Sequence, residues 1–207
     1  MHNRRYLKWL PPLAAAAVFA AAGSALAGSA LAGEPTVQVK AGIDSVLTIL
    51  RNPALKGRGK KSERRLKLRE AIGRQFDFAE MSRRSLARQW RKRTAEEKGE
   101  FIDLFSRLIE KTYIGKIEAY TDEKVQYTKE VSDKEFARVT TLIVTKRKKQ
   151  IAIVYRLHLT EGKWRVYDVV VKGVSLVSTY RQQFRSIIRK SSYAGLVKIL
   201  RKKRDKG

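Results

Sequence analysis

Between residues 137 and 172 the chain writes the same pattern three times: ARVTTLIVTK, IAIVYRLHLT and KWRVYDVVV, each bounded by polar or turn-forming residues. Runs this short, rich in β-branched and aromatic side chains, read as strands rather than helices. Arg147-Lys148-Lys149-Gln150 makes a plausible hairpin connection between the first two, and Glu161-Gly162-Lys163 a short reversal before the third. With a shorter polar candidate at 124–130, the pattern predicts a meander of about four antiparallel strands. In the middle run Ile151, Ile153, Tyr155, Leu157 and Leu159 fall on one face, because successive side chains point to opposite sides of a strand. That face is predicted to be the concave, core-facing side, and the rest of the chain must supply its cover.

The cover is helical. Val39, Ile43, Val46, Leu47 and Leu50 share one helical face over 36–50, and the segment is expected to end near Asn52-Pro53. KGRGKKSER reads as a mobile basic loop before a short amphipathic helix through Leu66, Ile72 and Phe76. In FDFAEMSRRSLARQW, Phe78, Met81, Leu86 and Trp90 share one side. Thr94 and Glu97 have capping-box spacing at the head of a long helix with a broad apolar stripe from Phe101 to Ile117. Helix-first, strand-second, helix-last order predicts an α+β fold, with helices packed on the concave face of a curved sheet.

The stretch YDVVVKGVSLVSTYRQQF changes period in its middle. Tyr167, Val169 and Val171 alternate with Asp168, Val170 and Lys172; beyond Gly173, Val174, Val177, Tyr180 and Phe184 recur at spacings of three and four. A strand is expected to run through one glycine into a helix over 174–189, with a second short helix from about Ser192. Pattern alone leaves open whether so much apolar surface fills a core or lines a cavity.

The chain begins with a basic segment, an alanine-rich apolar stretch and small residues in A-x-A positions, the features of a secretory leader. Cleavage is expected after Ala27 or Ala32; the second choice gives a leader of 1–32 and a single domain of 33–207 with a basic C-terminal tail. Removing the leader takes away Arg4, Arg5 and Lys8 and no acid, which lowers the net charge from +26 to +23. The basic residues are spread along nearly every segment, and export separates them from cytoplasmic nucleic acid, so anionic membranes or an acidic partner suit this surface better.

Catalysis finds no foothold. Cysteine is absent, which excludes thiol chemistry, disulfides and cysteine–zinc sites. His158 is the one histidine beyond the leader, and it alternates away from the apolar face of its strand. No glycine-rich phosphate loop occurs, and the adjacent acids Glu96-Glu97 and Asp122-Glu123 read as solvated pairs. Asp168, an acid within a strand, needs a partner if buried; Arg181 on the following helix is the expected one, as an ion pair fixing how that helix crosses the sheet.

FDFAEMSRRSLARQW, the segment TAEEKGEFIDLFSRLIEKTYIGKIEAY, and KWRVYDVVVKGVSLVSTYRQQFRSIIRKSSYAGLVKIL occur in the order and at the spacing of one known family. From about residue 37 to 202 the chain resembles the MlaC family of periplasmic phospholipid-binding proteins, also called toluene-tolerance or ABC-transporter auxiliary proteins, of the systems that maintain outer-membrane lipid asymmetry. The resemblance implies a deep apolar pocket for acyl chains, no cofactor, and a lipid shuttle between an inner-membrane transporter complex and an outer-membrane lipoprotein complex. On that basis the expected lining comprises Tyr113 and Ile117 of the long helix, Leu142 and Val144 of the first long strand, and Ile153, Tyr155 and Leu157 of the next. Val169 and Val171 of the last strand complete the sheet side, and Val174, Val177 and Tyr180 are expected as a wall folded over it. A related branch accompanies hopanoid biosynthesis, which makes a polycyclic or isoprenoid lipid an alternative cargo. The other alternative is a non-carrier docking module with a filled core.

Overall fold

The computed structural model describes residues 34–120, 123–145 and 148–205. The leader expected at 1–32 lies outside them. A single sheet is built from β1 (Lys124–Asp133), β2 (Phe136–Val144), β3 (Gln150–Thr160), β4 (Lys163–Val171) and β5 (Val174–Ser175). Its order is β1-β2-β3-β4-β5, with every neighbouring pair antiparallel.

The meander predicted from the sequence is therefore present, with one short strand more than expected. Two of its turns have a common cause. Glu161 and Gly162 (φ 50° and 69°) join β3 to β4, and Lys172 and Gly173 (φ 50° and 81°) join β4 to β5. Both central residues of a tight two-residue hairpin must be left-handed for the turn to follow the strand twist, and glycine adopts that conformation without a Cβ clash. Val174 and Ser175 thus pair back onto Val171 and Val170 before the helix begins, where the sequence had Val174 as the first helical residue.

A bulge in β4 changes which side chains share a face. Leu157 pairs with Val166 but Arg156 with Asp168, so Tyr167 is the extra residue. Trp164 and Val166 before the bulge therefore lie on the same face as Val169 and Val171 after it. Tyr167 instead meets Phe136 and His158 edge-on, at 6.2 and 5.8 Å between ring centres, on the opposite face. Simple alternation had grouped Tyr167 with Val169 and Val171; the bulge separates them.

The helices form two packed regions. α1 (Glu34–Arg51) lays Val39 and Ile43 against Ala137, Val139, Leu157, Trp164 and Val166 of the sheet. Two long-range anchors fix it there: the amide and hydroxyl of Thr36 donate to Glu130 Oε2 (2.9 and 2.5 Å), and Trp164 N donates to Gln38 Oε1 (3.0 Å). α2 (Lys61–Gln75) begins earlier than the sequence suggested, since Lys61, Ser62, Glu63 and Arg64 of the expected loop are helical. Glu63 sits in its first turn, and Arg64 and Arg65 both hold Glu118 (2.7 and 2.8 Å).

The second region is built from α3 (Phe78–Leu86), α4 (Ala95–Glu118) and α5 (Leu176–Asp205). Thr94 and Glu97 close the expected capping box: Glu97 N donates to Thr94 Oγ1 (3.2 Å) and Thr94 N to Glu97 Oε2 (3.0 Å). Phe101, Phe105, Tyr180 and Phe184 interlock, with Phe105 and Tyr180 edge-to-face at 5.0 Å and Phe101 and Phe184 at 5.5 Å. α5 breaks at Ser191–Ser192, where Ser192 has φ 69°. The sequence placed a helix boundary at this point. The break lets Tyr193, Leu196, Val197 and Leu200 join the same helical core, with Tyr193 Oη donating to Glu97 O (3.1 Å). Phe76, between α2 and α3, packs against both regions.

Candidate functional site

The expected lining residues separate into groups once the sheet register is known. Tyr155 pairs with Val139 and Val169, and Ile153 with Thr141 and Val171. Directly opposed residues in antiparallel strands share a face, so Ile153, Tyr155, Val169 and Val171 form one continuous patch. All four are partly exposed, whereas Leu157, two residues further along β3, is fully buried beneath α1. One end of the face is thus sealed by Val39 and Trp164, and the other keeps accessible apolar surface.

Tyr113 and Ile117, four residues apart on α4, are also partly buried. Tyr113 packs at the edge of the helical core, and burial raises its phenol above the ordinary tyrosine range. Val177 and Tyr180 are buried within that core; the Tyr180 phenol, close to Tyr113, is pushed up to about 12, chiefly by burial.

Two expected residues are not brought to the patch. Leu142 pairs with Ala152 and Val144 with Gln150, which puts both on the face opposite Ile153 and Tyr155. The reason is strand parity: Leu142 and Val144 are one residue out of step with Val139 and Thr141. Val174 pairs with Val171 and so shares the patch face, but the Lys172-Gly173 hairpin leaves it 56% exposed at the sheet edge.

Polar groups missed by the sequence reading border the patch. Tyr127 of β1 pairs with Thr141, which carries it to the face of Ile153 and Tyr155. Its phenol is pushed up by burial and then by the negative charge of Asp44. Burial takes the Tyr155 phenol up to about 12. Tyr120 donates to Glu123 O (2.8 Å) and lies near enough to influence both. Thr141 is fully buried among them, with its hydroxyl beside the Tyr155 phenol. The available sequence signal was the alternation of Val125 and Tyr127 in a strand taken as polar. Between α1 and β1 an open groove of about 390 Å³ runs past Ile43, Leu47 and Tyr127 to Arg51 and Lys124.

Asp168 is 2% exposed and holds the junction between sheet and final helix, with partners other than the expected Arg181. Its Oδ1 accepts from Val177 N (3.0 Å), and its Oδ2 accepts from Ser175 Oγ (2.7 Å) and Arg156 Nη1 (3.2 Å). Arg181 Nε instead donates to Arg84 O (2.8 Å). The carboxylate caps the start of α5 rather than pairing with a side chain further along it, because the bulge turns Asp168 toward Arg156 and the first helical amides. His158, on the same opposite face, places Nε2 2.9 Å from Asp77 Oδ2, while Asp77 Oδ1 accepts from Glu80 N (2.8 Å) to cap α3.

With this geometry established, comparison with known proteins is decisive on kinship. The family model described as MlaC protein matches residues 40–202. The chain belongs to the MlaC family. Among curated proteins, an MlaC from Haemophilus influenzae, the binding protein of an intermembrane phospholipid transport system, is 26% identical over 117 residues. That match covers 54% of this chain and 55% of the relative, so the chain spans about half the length of the curated MlaC it matches. Among solved structures, a phospholipid-binding protein from Ralstonia solanacearum, in complex with a phospholipid, superposes with a TM-score of 0.76 at 27% identity. The superposition covers 84% of this chain and 98% of the other. The motifs from FDF to YRQQF thus belong to the family they resembled. Among the described residues no helix is long and apolar enough to cross a membrane, and no group of acidic or histidine side chains could hold a metal ion.

Proposed function

We propose that this protein is a periplasmic phospholipid carrier that sequesters acyl chains against the accessible part of its sheet and passes lipid between membrane-bound complexes. The observation that carries the reading is the likeness, over 84% of the chain, to a structure that holds a phospholipid. The half-buried patch of Ile153, Tyr155, Val169 and Val171 supports it, since a site for aliphatic chains needs apolar surface that the protein's own core leaves uncovered. In this reading these four residues, with Tyr113 and Ile117, contact the chains. Leu157, Val177 and Tyr180 act as packing beneath and beside them.

Each methylene withdrawn from water contributes roughly 0.8 kcal/mol, so two acyl chains with about 30 methylenes amount to a gross ~20 kcal/mol. Ordering and desolvation reduce this, yet spontaneous release into water is negligibly slow at such values. Delivery then requires docking that opens the site, which assigns the work of transfer to partner complexes: a lipid-binding transporter at the inner membrane and a lipoprotein complex at the outer membrane. The leader at 1–32 would bring the protein to the periplasm between them. No cofactor or catalytic group has a part in this function.

Native mass spectrometry of the exported protein tests it. Retained phospholipid is the expected result; bare polypeptide recovered from several expression hosts overturns the carrier reading.

A further inference from the structure

The open groove between α1 and β1 carries a charged rim that neither core explains. Ile43 and Leu47 form its apolar side on α1, and Tyr127 stands on β1. Tyr127 shares its sheet face with Thr141 and Ile153, so the groove lies along the same face of the sheet as the accessible apolar patch. Charged groups occupy the rim. Lys40 and Asp44 are paired with each other one helical turn apart, and Glu123 also lines the groove. Arg51, at the end of α1, and Lys124, at the start of β1, form no ion pair among the described residues.

We propose that this groove seats the phosphodiester of a bound lipid, with Arg51 and Lys124 as its cationic contacts. The inference rests on the carrier reading and adds the part of the ligand that the apolar patch leaves unrecognised. An amphiphile whose chains lie along Ile153 and Val171 must bring its polar end out where the sheet face meets solvent, and the α1–β1 rim is such a place. Its volume of about 390 Å³ falls within the roughly 300–1,000 Å³ of small-molecule sites. A phosphate is an anion at every physiological pH, and a guanidinium and an ammonium from two different elements can both donate to its oxygens. Lys40 and Asp44 satisfy one another, and Arg51 and Lys124 outnumber the one remaining carboxylate of the rim, Glu123.

The experiment compares two lipids that share acyl chains and differ in the phosphate. Lipid-free protein is equilibrated with vesicles containing equal amounts of dioleoylphosphatidylglycerol and dioleoylglycerol, and the retained lipids are counted by native mass spectrometry. The wild type is expected to favour the phospholipid, and the variant carrying Arg51→Gln and Lys124→Gln to shift the ratio about 10-fold toward diacylglycerol, the order expected for two solvent-exposed charge contacts. Both residues are exposed, and melting curves of the two proteins check that the fold is intact. An unchanged ratio in a variant that still holds lipid overturns the headgroup assignment. Absence of either lipid from the wild type overturns the carrier reading instead. Inorganic phosphate is titrated into lipid-free protein as the second arm: binding that depends on Arg51 and Lys124 with no shift in the lipid ratio assigns the groove to free phosphate and also overturns the proposal.

Discussion

The helical core around Phe105 and the sheet patch around Ile153 are made of similar residues and end up in opposite states. Phe101, Phe105, Phe184 and Leu196 are sealed by three helices converging from different directions, and the kink at Ser191–Ser192 brings the end of α5 back to close the last gap. The sheet patch has a rigid floor and only a partial cover, since α1 seals the Val139–Leu157–Trp164 end and leaves Ile153 and Val171 with accessible surface. Apolar content alone therefore does not make a binding site. What matters is whether the covering elements reach the surface they could cover.

The contrast predicts its largest effect from truncation. Phe105→Ala should cost about 3–5 kcal/mol, because the cavity it leaves is hemmed in by Tyr180 and Phe184 and cannot collapse. Ile153→Ala should cost about 1 kcal/mol, since part of that side chain is already in contact with solvent. Urea unfolding of lipid-free samples measures both, and equal losses would mean that the sheet patch is as filled as the helical core. Next in size is Asp168→Ala, which strands Val177 N, Ser175 Oγ and Arg156 at the sheet–helix junction. A loss of about 3 kcal/mol is expected for removing one side of a buried, hydrogen-bonded charge. If unfolding shows less than about 1 kcal/mol, the junction is not held by this carboxylate.

Overpacking sharpens the same comparison. Val177 is 4% exposed in the helical core, so Val177→Trp should destabilise lipid-free protein by about 1–3 kcal/mol. Val171→Trp adds its ring to the partly open patch and should cost less than about 1 kcal/mol while displacing lipid from the retained population. Lipid must be removed from both samples first, because bound ligand raises apparent stability. Lipid retained at wild-type levels by Val171→Trp would place the acyl chains elsewhere.

Much of this architecture was legible in the sequence, and the departures have identifiable causes. Thr94 and Glu97 announced the start of α4 because a capping box is local chemistry, complete within four residues. The strands and the break near Ser192 were legible for the same reason: periodicity and turn residues act over short spans. The patch was harder. Whether Leu142 or Thr141 faces Tyr155 depends on register, which is settled by the partner strand. The bulge at Tyr167 then reverses parity within β4, and nothing in VYDVVV marks it. Asp168 was recognised as an acid needing a partner, but finding Arg156 rather than Arg181 required that same bulge. Arg51 and Lys124 lie at opposite ends of unrelated elements, and only the packing of α1 along β1 brings them to one groove.

The smallest effect tests which face of the sheet matters. His158 lies on the side of Tyr167 and Phe136, away from Ile153 and Tyr155, and its Nε2 meets Asp77 Oδ2 at 2.9 Å. His158→Ala removes that contact, but Asp77 keeps its cap on α3 through Oδ1 and Glu80 N. The expected cost is about 1 kcal/mol, the net worth of one hydrogen bond. Phospholipid retention should be unchanged, because the imidazole lies on the opposite face of the sheet from the patch. Chemical denaturation gives the first quantity and native mass spectrometry the second. A variant of near wild-type stability that has lost its lipid would move the ligand to the opposite face, where Leu142 and Val144 lie, and would reverse the assignment of floor and exterior in this sheet.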